Sequence, residues 1–213
     1  MKNSALSSRI RISSTALAIA GILFVLYPAL RPFSDEVSLQ GAAAFASSNW
    51  LLAHILAMVT FTLLPIGLLG LFLSLQETVV NRLGYWALVL AMVGVGLTLP
   101  FYGGEAYGLH AIGQEALRQQ SADVLDIAAV VRAGTGLSIF LIGLILLAIS
   151  AILVAIMVGK SGKYSKWSGV PLAVGVSLYI PQFFFAQPIR VAHGILVAIG
   201  CLWLAADLWR QGK

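Results

Sequence analysis

Gly136-Leu-Ser-Ile-Phe-Leu-Ile-Gly-Leu-Ile-Leu-Leu-Ala-Ile-Ser-Ala-Ile-Leu-Val-Ala-Ile-Met-Val158 decides the fold class, because no side chain from 136 to 158 is charged. A membrane-spanning helix needs about 20 apolar residues at a rise of about 1.5 Å each. Five more runs meet that length: Ile12–Leu30, Trp50–Leu73, Leu83–Gly103, Trp167–Phe185 and Ile189–Trp209. Pro171 and Pro181 interrupt the run Trp167–Phe185, which makes it the weakest of the six. The pattern predicts an all-α, polytopic integral membrane protein of six transmembrane helices. Composition agrees, with 60% hydrophobic and 10% charged residues. A soluble domain carries roughly a quarter charged residues, and so few cannot cover a water-facing surface. The runs are continuous rather than alternating, which argues against a barrel. With short connections, residues 1–213 read as one domain.

Orientation follows from the basic residues. With the N-terminus inside, nine fall on inner segments: Lys2, Arg9, Arg11, Arg82, Lys160, Lys163, Lys166, Arg210 and Lys213. Four fall outside: Arg31, Arg118, Arg132 and Arg190. Both termini are therefore expected in the cytoplasm, and the expected location is a cell membrane, read as a bacterial inner membrane. The net charge of +5 is then positive-inside bias rather than nucleic-acid affinity, since no basic face interleaved with aromatics exists. The lone Cys201 lies deep in the last run, so no disulfide within the chain is possible. Lys2, Arg9 and Arg11 resemble the start of a signal peptide. However, Ile12–Leu30 is too long for its apolar region, and Ala18-Ile-Ala20 falls mid-run, so the segment is expected to remain as the first helix.

Two outer connections are long. In Pro32–Asn49, Ser34 ahead of Asp35-Glu36 looks like a helix start, and Ser48 or Asn49 is expected to cap the second spanning helix. In Ala111–Thr135, Ser121 and Asp123 suggest a start, with Val124, Ala128 and Val131 on one face. Residues 121–132 are thus expected to form an amphipathic outer helix. Pro28, Pro100 and Pro181 all disturb outer halves of helices, which favours an outer cavity where freed carbonyls meet protein or water.

The polar chemistry gathers at that outer face, around Leu99-Pro-Phe-Tyr-Gly-Gly-Glu-Ala-Tyr-Gly-Leu-His110. Glu105 is the acid nearest membrane depth, and its candidate partners are Arg190, Arg132, Arg31 and the histidines. His54 lies about 6 Å inside its helix start. Arg190 and His193 share a face with Gly194 and Cys201, which suits close packing. The candidate ligand-binding residues are His54, Tyr102, Glu105, Tyr107, His110, Gln182, Arg190 and His193. His54, Glu105 and His193 are the set a zinc ion would use, and His54 with His193 the pair for haem. No H-x-x-x-H, H-E-x-x-H, haem-attachment, G-x-S-x-G, P-loop or dinucleotide motif is present. The few Asn, Gln and acidic residues at this depth leave a metal little to orient its ligands. No cofactor is therefore predicted, with haem or zinc as the alternatives. The leading reading is a non-transporting, non-enzymatic membrane protein whose outer-facing polar pocket binds a small molecule, lipid headgroup or partner. A membrane-embedded metal or haem enzyme is the first alternative and a small transporter the second. A transporter would carry polar groups near the midplane, where this chain is nearly all apolar. The other expected partner is the lipid bilayer.

Overall fold

The computed structural model describes residues 4–212, so Lys2 and Lys213, both counted at the inner side, lie outside it. Every regular element among the described residues is helical. The long helices are α1 (Ser4–Leu30), α3 (Ser48–Ser74), α4 (Asn81–Gly103), α7 (Gly134–Ser161) and α9 (Gln187–Gln211). The short ones are α2 (Leu39–Phe45), α5 (Leu109–Gln119), α6 (Asp126–Val131) and α8 (Val170–Ser177). A π-helical turn, Gly104–Gly108, joins α4 to α5 into one rod from Asn81 to Gln119. Among the described residues, five helices are long and apolar enough to cross a membrane: α1, α3, the α4–α5 rod, α7 and α9.

The run Trp167–Phe185 is not a continuous helix. It holds the eight-residue α8, then irregular turns, then a 3-10 turn over Pro181–Phe184. Pro181 has no N–H to offer the Ser177 carbonyl, and α8 ends at Ser177. The segment still runs the length of the bundle. At one end Lys163 Nζ donates to Ser74 O, and the Ser165 N–H and Oγ donate to Asp207 near the end of α9. At the other end Gln187 Nε2 donates to the carbonyls of Pro28 and Ala29. Arg11 Nε donates to Gly212 O, so the first and last described turns share an end.

The helices close a ring in the order α1, α3, α4, α7, α8, α9 and back to α1. Small residues set the tightest approaches. A Cβ on Gly94 of α4 would lie 2.8 Å from Gly143 O of α7, and one on Gly143 would lie 2.8 Å from Gly94 O. A Cβ on Gly194 of α9 would lie 2.3 Å from Phe24 O of α1. That carbonyl is the one freed by Pro28. Within the ring pack Phe24, Phe61, Leu68, Leu144, Leu147 and Leu204. The outward faces are apolar too: Ile142, Ile145, Ile149, Ile152 and Ile156 line the exposed side of α7 at helical spacing. Such a face suits lipid and not water.

Over one end sits a cap with its own small core of Phe45, Trp50, Leu109, Ala116, Leu125 and Ala128. Here three boundaries differ from the sequence reading. The helix expected after Ser34 starts four residues later, capped by Ser38, because Asp35 Oδ1 takes the N–H groups of Val37 and Ser38. The Ser38 hydroxyl on Asp35, with those backbone bonds, holds its carboxyl below the usual range. The cap of α3 is Ser47, whose hydroxyl accepts from Trp50 N, rather than Ser48 or Asn49. Ser121 does start a helical turn, but residues 121–132 split into a 3-10 turn (Ala122–Leu125) and α6. The longer amphipathic element is α5, whose Leu109, Gly113 and Ala116 are buried.

Candidate functional site

The π-helical turn places Glu105 at the junction of ring and cap. One extra residue per turn shifts the side chains after Gly103 out of the α4 register, and such bulges recur at functional sites. Glu105 is 9% exposed. Arg132, in the turn between α6 and α7, meets it with both edges of its fork: Nε to Oε1 at 2.5 Å and Nη2 to Oε2 at 2.9 Å. The third nitrogen, Nη1, reaches Glu36 Oε2 at 2.6 Å, and Glu36 Oε1 accepts from Arg31 Nη2 at 2.8 Å. Glu36 has φ 58°, a backbone conformation few non-glycine residues adopt, and two guanidiniums hold it there. Burial opposes the charge on Arg132, but the hydrogen bonds and charges of Glu105 and Glu36 outweigh it and push its pKa above the ordinary value.

His54 sits at the end of this network. Its Nδ1 lies 2.7 Å from Trp50 O, which can only accept, so Nδ1 carries the proton. Its Nε2 faces Glu105 Oε2 at 3.6 Å. Trp50 packs against the His54 ring at 4.4 Å and donates from Nε1 to Glu105 O at 2.7 Å. Next to this network lies a cluster of three buried tyrosines. Tyr179 OH sits 2.6 Å from Tyr27 OH and 2.5 Å from Tyr102 OH, joining α1, α4 and the broken segment.

All of these groups except Trp50 and Tyr179 line a cavity of about 600 Å³. Its polar side is Arg31, Glu36, His54, Glu105, Arg132 and Arg190, with Gln182. Its aromatic side is Tyr27, Phe101, Tyr102, Phe140, Phe183 and Phe184. A second cavity of about 210 Å³ shares Phe101 and Glu105 as walls.

Of the eight residues singled out from the sequence, His54, Tyr102, Glu105, Gln182 and Arg190 line the larger cavity. The other three do not. Tyr107 is 59% exposed. His110 lies in the cap, its Nδ1 donating to Phe45 O at 2.9 Å. His193 donates from Nε2 to Gly175 O at 2.7 Å and packs on Tyr179. The partner of Glu105 is Arg132 and not Arg190. Arg190 turns to the broken segment, donating to Phe185 O from Nε and to Phe183 O from Nη2. Irregular backbone needs such donors where water is scarce. Among the described residues no three His, Cys, Asp or Glu side chains converge as a metal set.

Sequence reasoning left Glu36, Tyr27 and Tyr179 out of the site and named Arg31 and Arg132 only as candidate partners. The available signal was a tyrosine inside an apolar run, whose hydroxyl must find a partner at that depth. No family model, no curated protein and no solved structure matches this chain.

Proposed function

We propose that the protein is a membrane-embedded binding protein whose outer cavity takes one small amphipathic molecule. The observation that carries this reading is that a single cavity is lined both by a linked cluster of charges and by a linked row of aromatic rings. Its volume of about 600 Å³ falls in the range of about 300–1,000 Å³ typical of small-molecule sites. Arg31, Glu36, Glu105 and Arg132 on its wall are already held by one another, and Arg190 by backbone carbonyls, so the site is organised before anything binds.

In this reading residues 167–185 make a sixth crossing in broken form. Its support is that the described ends of the chain share one end of the bundle, which requires an even number of passes. Basic residues concentrate at that end, which suits a cytoplasmic location for both termini and a bacterial inner membrane.

Two experiments test the proposal. A long-chain alcohol carrying a diazirine should label peptides containing Phe101, Phe140 and Phe183 in phosphatidylcholine nanodiscs, and Leu141→Trp, which fills the cavity wall, should abolish that labelling. Labelling confined to the outer isoleucine row of α7, or unchanged in Leu141→Trp, refutes the binding reading. A maleimide that cannot cross membranes should reach Asp123→Cys in intact cells and miss Lys163→Cys. The reverse pattern refutes the orientation.

A further inference from the structure

The guanidiniums on the cavity wall outnumber the carboxylates. Three guanidiniums (Arg31, Arg132 and Arg190) face two carboxylates (Glu36 and Glu105). Arg132 engages both carboxylates and Arg31 engages Glu36. Among the described residues, Arg190 has no carboxylate within salt-bridge distance. Its Nε and Nη2 bind the carbonyls of Phe185 and Phe183, and its guanidinium stacks at 5.1 Å from the Phe33 ring centre. Arg31 stacks on the same ring at 4.7 Å. Two guanidiniums thus share one aromatic ring with one carboxylate between them, and that carboxylate is also claimed by Arg132. A guanidinium offers five N–H donors, and carbonyls satisfy its hydrogen bonds without cancelling its charge. A partly buried charge without a counter-charge is costly in a site of low dielectric.

Among the described residues, Arg190 is thus the one guanidinium on the wall that no carboxylate engages. From Arg190 a row of aromatic rings leads into the apolar side of the cavity. Phe183 lies 5.9 Å from the guanidinium, Phe140 lies 6.0 Å from Phe183, and Phe101 stacks on Phe140 at 4.2 Å. Resting on the binding reading above, we infer that the ligand is a single-chain amphiphile with a carboxylate head, the head held at Arg190 and the chain laid along Phe183, Phe140 and Phe101. A carboxylate head supplies the counter-charge that Arg190 lacks. The planar fork of arginine also matches a carboxylate.

The test compares three diazirine probes of equal chain length: an alkanoic acid, the alkanol and the alkyl phosphate. Each is presented to the protein in phosphatidylcholine nanodiscs at mildly alkaline pH, where the acid is ionised. The acid should label the Phe101, Phe140 and Phe183 peptides about tenfold more than the alcohol, the scale of one charge-assisted bond. Arg190→Gln keeps donors for the two carbonyls and removes the charge, and it should bring acid labelling down to that of the alcohol. Arg190→Lys should retain a preference for the acid. Equal labelling by acid and alcohol in the native protein overturns the inference and leaves the binding reading standing, as does stronger labelling by the phosphate. Labelling by none of the three overturns both. Should Arg190→Gln fail to fold, shown by loss of alcohol labelling, the native comparison alone decides.

Discussion

Removing the Arg132 guanidinium is the perturbation whose cost the structure defines best. Arg132→Gln deletes two bonds to Glu105 and one to Glu36 in a single step. It leaves the Glu105 carboxylate buried, with only His54 Nε2 at 3.6 Å. Breaking a buried pair on one side costs about 3–5 kcal/mol. Arg132 and Glu36 side chains are about a quarter exposed, which puts the expected loss near the lower end, about 3 kcal/mol. Glu105→Gln costs less, about 2 kcal/mol, because Arg132 keeps Glu36 and some solvent. If both changes act on the same contact, the double variant loses about 3 kcal/mol rather than about 5, a coupling of about 2 kcal/mol. The assay is reversible unfolding of the four proteins in mixed micelles, followed by tryptophan fluorescence. Trp50, bonded to Glu105 O, reports on the site itself. Additivity of the two single losses to within about 0.5 kcal/mol refutes the claim that this ion pair joins cap to ring.

The hydroxyl cluster should be hierarchical. Tyr179→Phe strands both Tyr27 and Tyr102 and costs about 1–2 kcal/mol, whereas Tyr27→Phe leaves the Tyr102–Tyr179 bond and costs less; equal losses in the same unfolding assay contradict the arrangement. Gly194→Ala drives a methyl to 2.3 Å from Phe24 O and should cost at least about 2 kcal/mol, while Gly96→Ala, which meets nothing within 4 Å, should be neutral or slightly stabilising. Tyr164, in the loop after α7, has its phenol pushed up to about 12 by burial, with the Ser74 hydroxyl bond opposing and the Asp207 charge adding. The folded protein then holds that proton more tightly than the unfolded chain, so this contribution is complete below about pH 10 and is lost as pH rises through 12. Alkaline unfolding should be less steep over that window in Tyr164→Phe, and unchanged steepness rejects the assignment.

The long helices were legible because a run such as Gly136–Val158 leaves no other use for so many apolar side chains. Most of their ends moved by only a few residues, as where Ser47 reached a free N–H, but α1 is already helical at Ser4, well ahead of Ile12. Legibility stopped where two elements met. His193 and Arg190 both fall in the first two turns of α9, but position along a helix says nothing about which neighbour a side chain faces. The break at Pro181 creates carbonyls that take the Arg190 donors, and Gly175 O takes the His193 donor. The partner of Glu105 depends on the chain doubling back through α5 and α6 to bring Arg132 over the π-helical turn, a return of 27 residues that no periodicity encodes. His110 was grouped with Glu105 as a candidate ligand; the π-helical turn and α5 carry it to Phe45 in the cap instead.

The central claim, that the charged and aromatic walls enclose one ligand site, is tested most directly by crystals grown in a lipid mesophase with an ω-brominated long-chain alcohol. The account predicts an anomalous bromine peak between Phe101, Phe140 and Phe183, with the hydroxyl toward Arg190 and His54. Bromine found only along Ile142, Ile145 and Ile149 on the outer face of α7, with the cavity holding no chain, would contradict it.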